Sequence, residues 1–155
     1  NRYILGIHSS VLEEVEAAFD TFQFYKASQA LQRFAVADLS NFYLDGAKDR
    51  LYISSADDLR RRSCQTVLHT LLMDLATVMA PILPHMAEDV WQTLPFKTDG
   101  GEKSIFEAGW ATTRHSQHEE GKWGWLRSLR NDVNKALELA RAEKTLGSSL
   151  EGQVW

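Results

Sequence analysis

The 155-residue chain is 44% hydrophobic and 25% charged, which supplies the core of one domain and excludes a disordered, highly charged tail. Its net charge of −4 gives no global pull toward nucleic acid or an anionic membrane, although a local basic patch can stand on an acidic protein. The single cysteine, Cys64, excludes an internal disulfide or a cysteine-cluster metal site and suits the cytosol or an organelle stroma; no apolar run is long enough for a membrane span, and the opening residues lack a signal or transit-peptide pattern.

Ile4, Ile7, Val11, Val15, Ala18 and Phe22 recur at steps of three and four, predicting an amphipathic helix to about Asp20. After a break around "TFQF", Ala27, Leu31, Ala35, Leu39 and Phe42 repeat the pattern in a long second helix. On it, Asp38, Asn41, Asp45, Asp49 and Tyr52 make one polar stripe, and Leu39, Phe42, Gly46 and Arg50 drift along a neighbouring face. The acidic stripe is expected to face protein or water, which leaves the Lys48 to Tyr52 end for phosphate. Gly46 costs about 1 kcal/mol relative to alanine inside a helix and hints at a close backbone approach or a packing need.

Ser54 and Ser55, each three residues before an aspartate, resemble a capping box that starts a third helix, with Leu68, Leu71, Leu75, Val78 and Ile82 inward. Pro81 stops it, and Pro84 suits the first turn of a short fourth helix with Met86, Val90 and Leu94 inward and Pro95 as terminator. Periodicity then fails over about 96–118, read as a long surface connection in which "SIFEAGW" forms a short extended piece. A last helix runs from Glu119 to about Lys144, with Leu126, Leu129, Val133, Ala136, Leu137 and Ala140 on one side. The expected fold is all-α: an antiparallel bundle of about five helices with one long irregular connection. The bundle is expected over 1–146, and 147–155 as the start of a truncated junction segment in a longer polypeptide.

No catalytic set emerges. His69 follows Cys64 by five residues, roughly 500° around a helix, so the two lie on different faces and the thiol reads as packed. The chain has no Glu-x-x-His pair for a di-iron site and no Gly-rich phosphate loop, and His115 and His118 lack a nearby third ligand. The cations say more. Arg60, Arg61 and Arg62 stand at a helix start, where the dipole disfavours them, with Asp57 and Asp58 placed for i,i+4 pairs as a structural explanation. Arg127, Arg130, Asn134 and Arg141 recur along one edge of the last helix, with Lys135 flanking, as either a solvated face or a track for phosphates. Trp110, in the exposed connection, is the tryptophan least explained as core and suits stacking on an unpaired base.

The blocks "DLSNFYLDGAKDRLY", "RRRSCQTVL", "MAPILPHMAEDVWQTLP", "SIFEAGW" and "RNDVNKALELARAEKTLGSSLE" resemble, in collinear order, the anticodon-binding helical bundle of bacterial-type isoleucyl-tRNA synthetases. "YISSADDLRRRSCQTVL" is most similar to the cyanobacterial or plastid branch. The resemblance implies a parent class Ia enzyme that activates isoleucine with ATP and Mg and transfers it to tRNA through N-terminal catalytic and editing domains. Editing is needed there because one methylene discriminates isoleucine from valine too weakly. This segment would be non-catalytic, hold no cofactor or metal, and act as a soluble cytoplasmic monomer, or in a plastid or mitochondrion if from a plant. Its partners would be the anticodon stem-loop of isoleucine tRNA and the other synthetase domains. On that reading Arg127, Arg130, Lys135 and Arg141 meet phosphates, Lys48 and Arg50 add charge, Asn134 or Trp110 touches bases, and Arg60, Arg61 and Arg62 are further contacts. The alternatives are the corresponding bundle of a valyl-, leucyl- or methionyl-tRNA synthetase, or a helical protein-interaction domain.

Overall fold

The computed structural model describes residues 1–94, 102–111, 120–148 and 151–153, with no side-chain description at 120–122. Its helices are α1 (Arg2–Asp20), α2 (Phe24–Arg33), a π-helical segment (Phe34–Leu44), α3 (Asp45–Tyr52), α4 (Leu59–Met79), α5 (Pro84–Thr93), a 3-10 turn (Ile105–Glu107) and α6 (Glu120–Ala142). Because α2, the π segment and α3 run on without a break, the described residues form five helical rods and no strand. The all-α reading therefore holds. The chain divides into two compact units, Asn1–His118 and Glu119–Trp155.

In the first unit α1 packs along α2, the π segment and α4, burying Ile4, Val11, Leu12, Val15 and Ala18 in the main core with Ala27, Leu31, Phe34, Cys64 and Leu71. Within that core the ring of fully buried His8 lies 5.6 Å from Phe34, and its Nδ1 is 3.7 Å from a carboxylate oxygen of buried Asp74, joining α1 to α4. The Tyr43 hydroxyl donates to Asn1 Oδ1 at 2.8 Å, and the Tyr43 hydroxyl oxygen lies 3.5 Å from Cys64 Sγ. Burial first, then Cys64, pushes the Tyr43 phenol well above its usual range.

The second rod departs from the expected spacing. The π-helical wind closes i to i+5 rather than i to i+4. Buried positions fall at Phe34, Asp38, Tyr43 and Ala47, so a five-residue step crosses the segment and Ala35 faces solvent. Asp38 is inside, not on a polar stripe with exposed Asp45 and Asp49. Gly46 is exposed, and a Cβ built on it meets nothing within 4 Å, which overturns the close-approach reading.

Further corrections concern helix ends. Neither Ser54 nor Ser55 caps α4: the Asp58 carboxylate does, accepting from Arg60 N at 2.6 Å and Arg61 N at 3.2 Å. Pro84 opens α5 as expected, and Val90 and Leu94 pack inward against a core built on Ala87 and Trp91, but Met86 is exposed. "SIFEAGW" is a 3-10 turn rather than an extended piece. Glu88 holds it, accepting from Ser104 Oγ at 2.8 Å and Ile105 N at 3.0 Å, while Gln92 donates to Lys103 O at 2.6 Å. Ile105 completes a second small core with Ala76, Ala80, Ala87 and Trp91.

Two helices end in Schellman motifs whose left-handed residue is not glycine. After α1, Phe22 (φ 56°) donates to Phe19 O at 3.0 Å and Gln23 to Ala18 O at 2.7 Å. After α6, Lys144 (φ 58°) donates to Arg141 O at 2.9 Å and Thr145 to Ala140 O at 3.0 Å. A left-handed conformation costs an L-residue roughly 1–2 kcal/mol that glycine avoids. In the second unit, Glu151 folds back on α6's exit, accepting from Gly147 N at 3.0 Å and Ser148 N at 3.3 Å.

Candidate nucleic-acid interface

At 100° per residue, Arg127, Arg130, Asn134 and Arg141 lie within an arc of about 60° on α6, directly beside the apolar stripe through Leu126, Leu129, Val133 and Leu137. Arg127, Arg130 and Arg141 are partly exposed, and Asn134 and Lys135 are exposed. Arg141 is ion-paired with Glu138, three residues before it, which reduces its share of the edge's positive field. Lys135 stands about 80° from Arg127 around the helix, a flank rather than a member of the edge. Trp123, one turn before Arg127, falls within the same arc and is partly exposed. Counting backward from Arg127 would have found it. Such a row of guanidinium groups with a carboxamide and an indole suits phosphates and a base edge or face.

The other sequence-predicted residues lie in the first unit. Lys48 and Arg50 are both exposed on α3, but Lys48 donates to Asp45 at 2.9 Å, and that hydrogen bond pushes its amine upward from the ordinary range. Arg50 lies near the Asn1 α-amino group, which burial first and then Arg50 push downward. Of the arginine triplet, Arg60 and Arg62 are exposed, while Arg61 is half-buried and donates from a guanidinium nitrogen to Ser54 O at 2.9 Å. The anticipated Asp57–Arg61 and Asp58–Arg62 pairs do not form: Asp57 stands before the helix, Arg61 donates to Ser54 O instead, and Asp58 is occupied as the α4 cap. The α6 residues thus share one helix edge, while Lys48 and Arg50 stand on α3 and the triplet on the packed neighbour α4 in the first unit.

Trp110 is not the exposed aromatic the sequence suggested. It is half-buried against the main core, edge-on to Phe19 with ring centroids 5.4 Å apart. Cys64 is fully buried, as its packed reading implied. Among the described residues no group of three or more His, Cys, Asp or Glu side chains could hold a metal, and His115 and His118 lie outside them. No helix among the described residues is long and apolar enough to cross a membrane.

A family model described as the anticodon-binding domain of tRNA ligase matches residues 1–154. The chain belongs to that family. Similar curated proteins include the isoleucine–tRNA ligase of Thermosynechococcus vestitus, 55% identical over 158 residues and 100% of the chain. Those of Crocosphaera subtropica and a Nostoc species are 52% and 54% identical, each over 157 residues and 99% of the chain. The chain spans only 16% of the length of each of these relatives. Among the described residues, α6 carries the longest row of cationic side chains along one helix edge.

Proposed function

We propose that this chain is the tRNA anticodon-arm module of an isoleucine–tRNA ligase, a monomeric cytoplasmic enzyme. Its catalytic domains, in the same polypeptide, attach isoleucine to its tRNA at the expense of ATP with Mg. The observation that carries the reading is the end-to-end match of an anticodon-binding domain to a chain whose last helix bears an arginine edge. Arg127 and Arg130 grip phosphates, Arg141 and Lys135 add to the field, and Asn134 reaches a base. Lys48, Arg50, Arg60, Arg61 and Arg62 give weaker electrostatic support from the first unit, and Trp110 acts through Phe19 rather than as an open platform. Residues 1–146 serve as the bundle and 147–155 lead into the next segment.

Phosphate contacts register in the salt dependence of binding, with log K falling against log salt by roughly 0.7–0.9 per neutralised phosphate. The chain is titrated with isoleucine tRNA, and with the same tRNA changed only in its anticodon, between 50 and 200 mM salt. Tighter binding of the first is expected, with a shallower slope for the Arg127→Glu/Arg130→Glu double variant. Absence of binding to either tRNA at low salt would sink the reading. Equal affinity for both would leave a phosphate grip that reads no base.

A further inference from the structure

We infer that the turn between α1 and α2 is a stacking site for an unpaired nucleobase, with the Phe22 ring as its platform. The backbone at this position favours glycine, and the core gains little from the ring that stands there instead. Phe22 is the left-handed residue of the Schellman motif that ends α1, at φ 56°, where a side chain is disfavoured. Its side chain also does little for the core, because the residue is 81% exposed. A large apolar ring held in solvent at a conformational cost acts on something outside the chain.

The surroundings indicate what that is. Phe22 is the outermost of a series of edge-to-face rings: Trp110 to Phe19 at 5.4 Å, Phe19 to Phe24 at 5.3 Å, and Phe24 to Phe22 at 6.0 Å. The inner members brace the outer ring against the main core, and Phe24 and Tyr25 are exposed beside it. Lys26 and Asp20, both exposed, flank the turn with opposite charge and exposed Glu16 lies one turn before Asp20, so the patch holds no positive field for a phosphate and offers only ring faces, which suit a base. Three exposed rings of about 150–250 Å² each, none fully available, fall short of the roughly 800 Å² per partner of a stable protein interface. A base needs only one open ring. Stacking on aromatic side chains is the common means of holding unpaired bases.

The inference rests on the anticodon-arm reading, and its test separates the two. The 155-residue chain is titrated by fluorescence anisotropy with a labelled RNA hairpin carrying a seven-nucleotide unpaired loop, and with the same stem as a loop-free duplex. Phe22→Gly should weaken hairpin binding by about 5- to 150-fold, leave duplex binding unchanged, and raise or maintain the thermal midpoint. Phe22→Trp should keep the hairpin affinity. An unchanged hairpin affinity in Phe22→Gly would overturn the stacking site while leaving the anticodon-arm reading intact. A lower midpoint with loss of both RNAs would show the ring to be structural, and would overturn it equally. Failure of the unaltered chain to bind either RNA at low salt would remove both readings. If sedimentation shows self-association that Phe22→Gly abolishes, with RNA binding equal in the two proteins, the patch belongs to a second copy of the chain and the inference fails.

Discussion

Asp58 determines whether the arginine-rich start of α4 is tolerated, and its removal has a size that follows from two separable terms. Its carboxylate accepts from Arg60 N at 2.6 Å and Arg61 N at 3.2 Å. The first turn it closes holds no acidic residue and begins Leu59, Arg60, Arg61, Arg62, so three cations face the positive end of the helix dipole. Replacing a capping aspartate by alanine costs about 0.5–2 kcal/mol, and removing a negative charge from a helix N-terminus costs a further 0.3–1 kcal/mol. Asp58→Ala should therefore destabilise by about 1–3 kcal/mol, or roughly 4 °C in midpoint for each kcal/mol in a unit of this size. Asp58→Asn keeps an acceptor and loses only the charge, so it should cost less than 1 kcal/mol, and that smaller loss should shrink at 1 M salt. Urea unfolding followed by far-ultraviolet circular dichroism at low and high salt measures all three proteins. An asparagine variant as damaged as the alanine variant, or an alanine variant equal to the unaltered chain, would refute the capping argument.

Gly46→Ala should stabilise the chain by about 1 kcal/mol, because the new methyl meets nothing within 4 Å and the helix gains its preferred residue; a lower urea midpoint would show an unseen constraint there. Tyr43 makes stability fall at high pH. Its phenol is raised above the ordinary 10.0 chiefly by burial and then by Cys64, so the folded chain keeps a proton that the unfolded chain releases. That contribution is complete below pH 10 and is lost as pH rises further, with a slope of up to about 1.4 kcal/mol per pH unit. Tyr43→Phe lacks the titrating group, so its deficit relative to the unaltered chain should narrow between pH 10 and 11 in paired urea titrations, and parallel curves would contradict the assignment.

Which parts of this molecule were legible depended on whether one helical period held. Along α1 it did: Ile4, Val11, Val15 and Ala18 are buried where steps of three and four put them. It failed one turn later, at Phe22, because a left-handed residue throws the ring outward although the spacing assigned it to the core. It failed again in the second rod, where the π-helical wind turns Asp38 and Tyr43 inward, and no count at 3.6 residues per turn anticipates a five-residue step. In α5 the small side chain of Ala87 hid the close-packed face shared with Trp91. The 3-10 turn at Ile105–Glu107 escaped because the groups holding it, Glu88 and Gln92, lie on another helix. The α6 edge was legible because a single uninterrupted helix carries it, and Trp123 was overlooked only because the count began at the first arginine.

Net charge is a poor guide to RNA binding in such a chain, since RNA responds to the field within about one Debye length, near 10 Å at 0.1 M salt. α6 carries Lys122, Arg127, Arg130, Lys135 and Arg141 against Glu120, Asp132 and Glu138, so the acid excess behind the overall −4 lies elsewhere. Electrostatic attraction should thus be a property of the α6 edge rather than of the whole second unit, whose charges balance, and base stacking at Phe22 a property of the first unit. Salt distinguishes the two contributions: stacking on an uncharged ring releases no counterions, whereas each phosphate contact does. Variants of Arg127 and Arg130 should accordingly change the slope of affinity against salt, while Phe22→Gly should lower affinity by the same factor at every salt concentration. A Phe22 effect that vanished at high salt would place that residue's influence in the electrostatic grip instead.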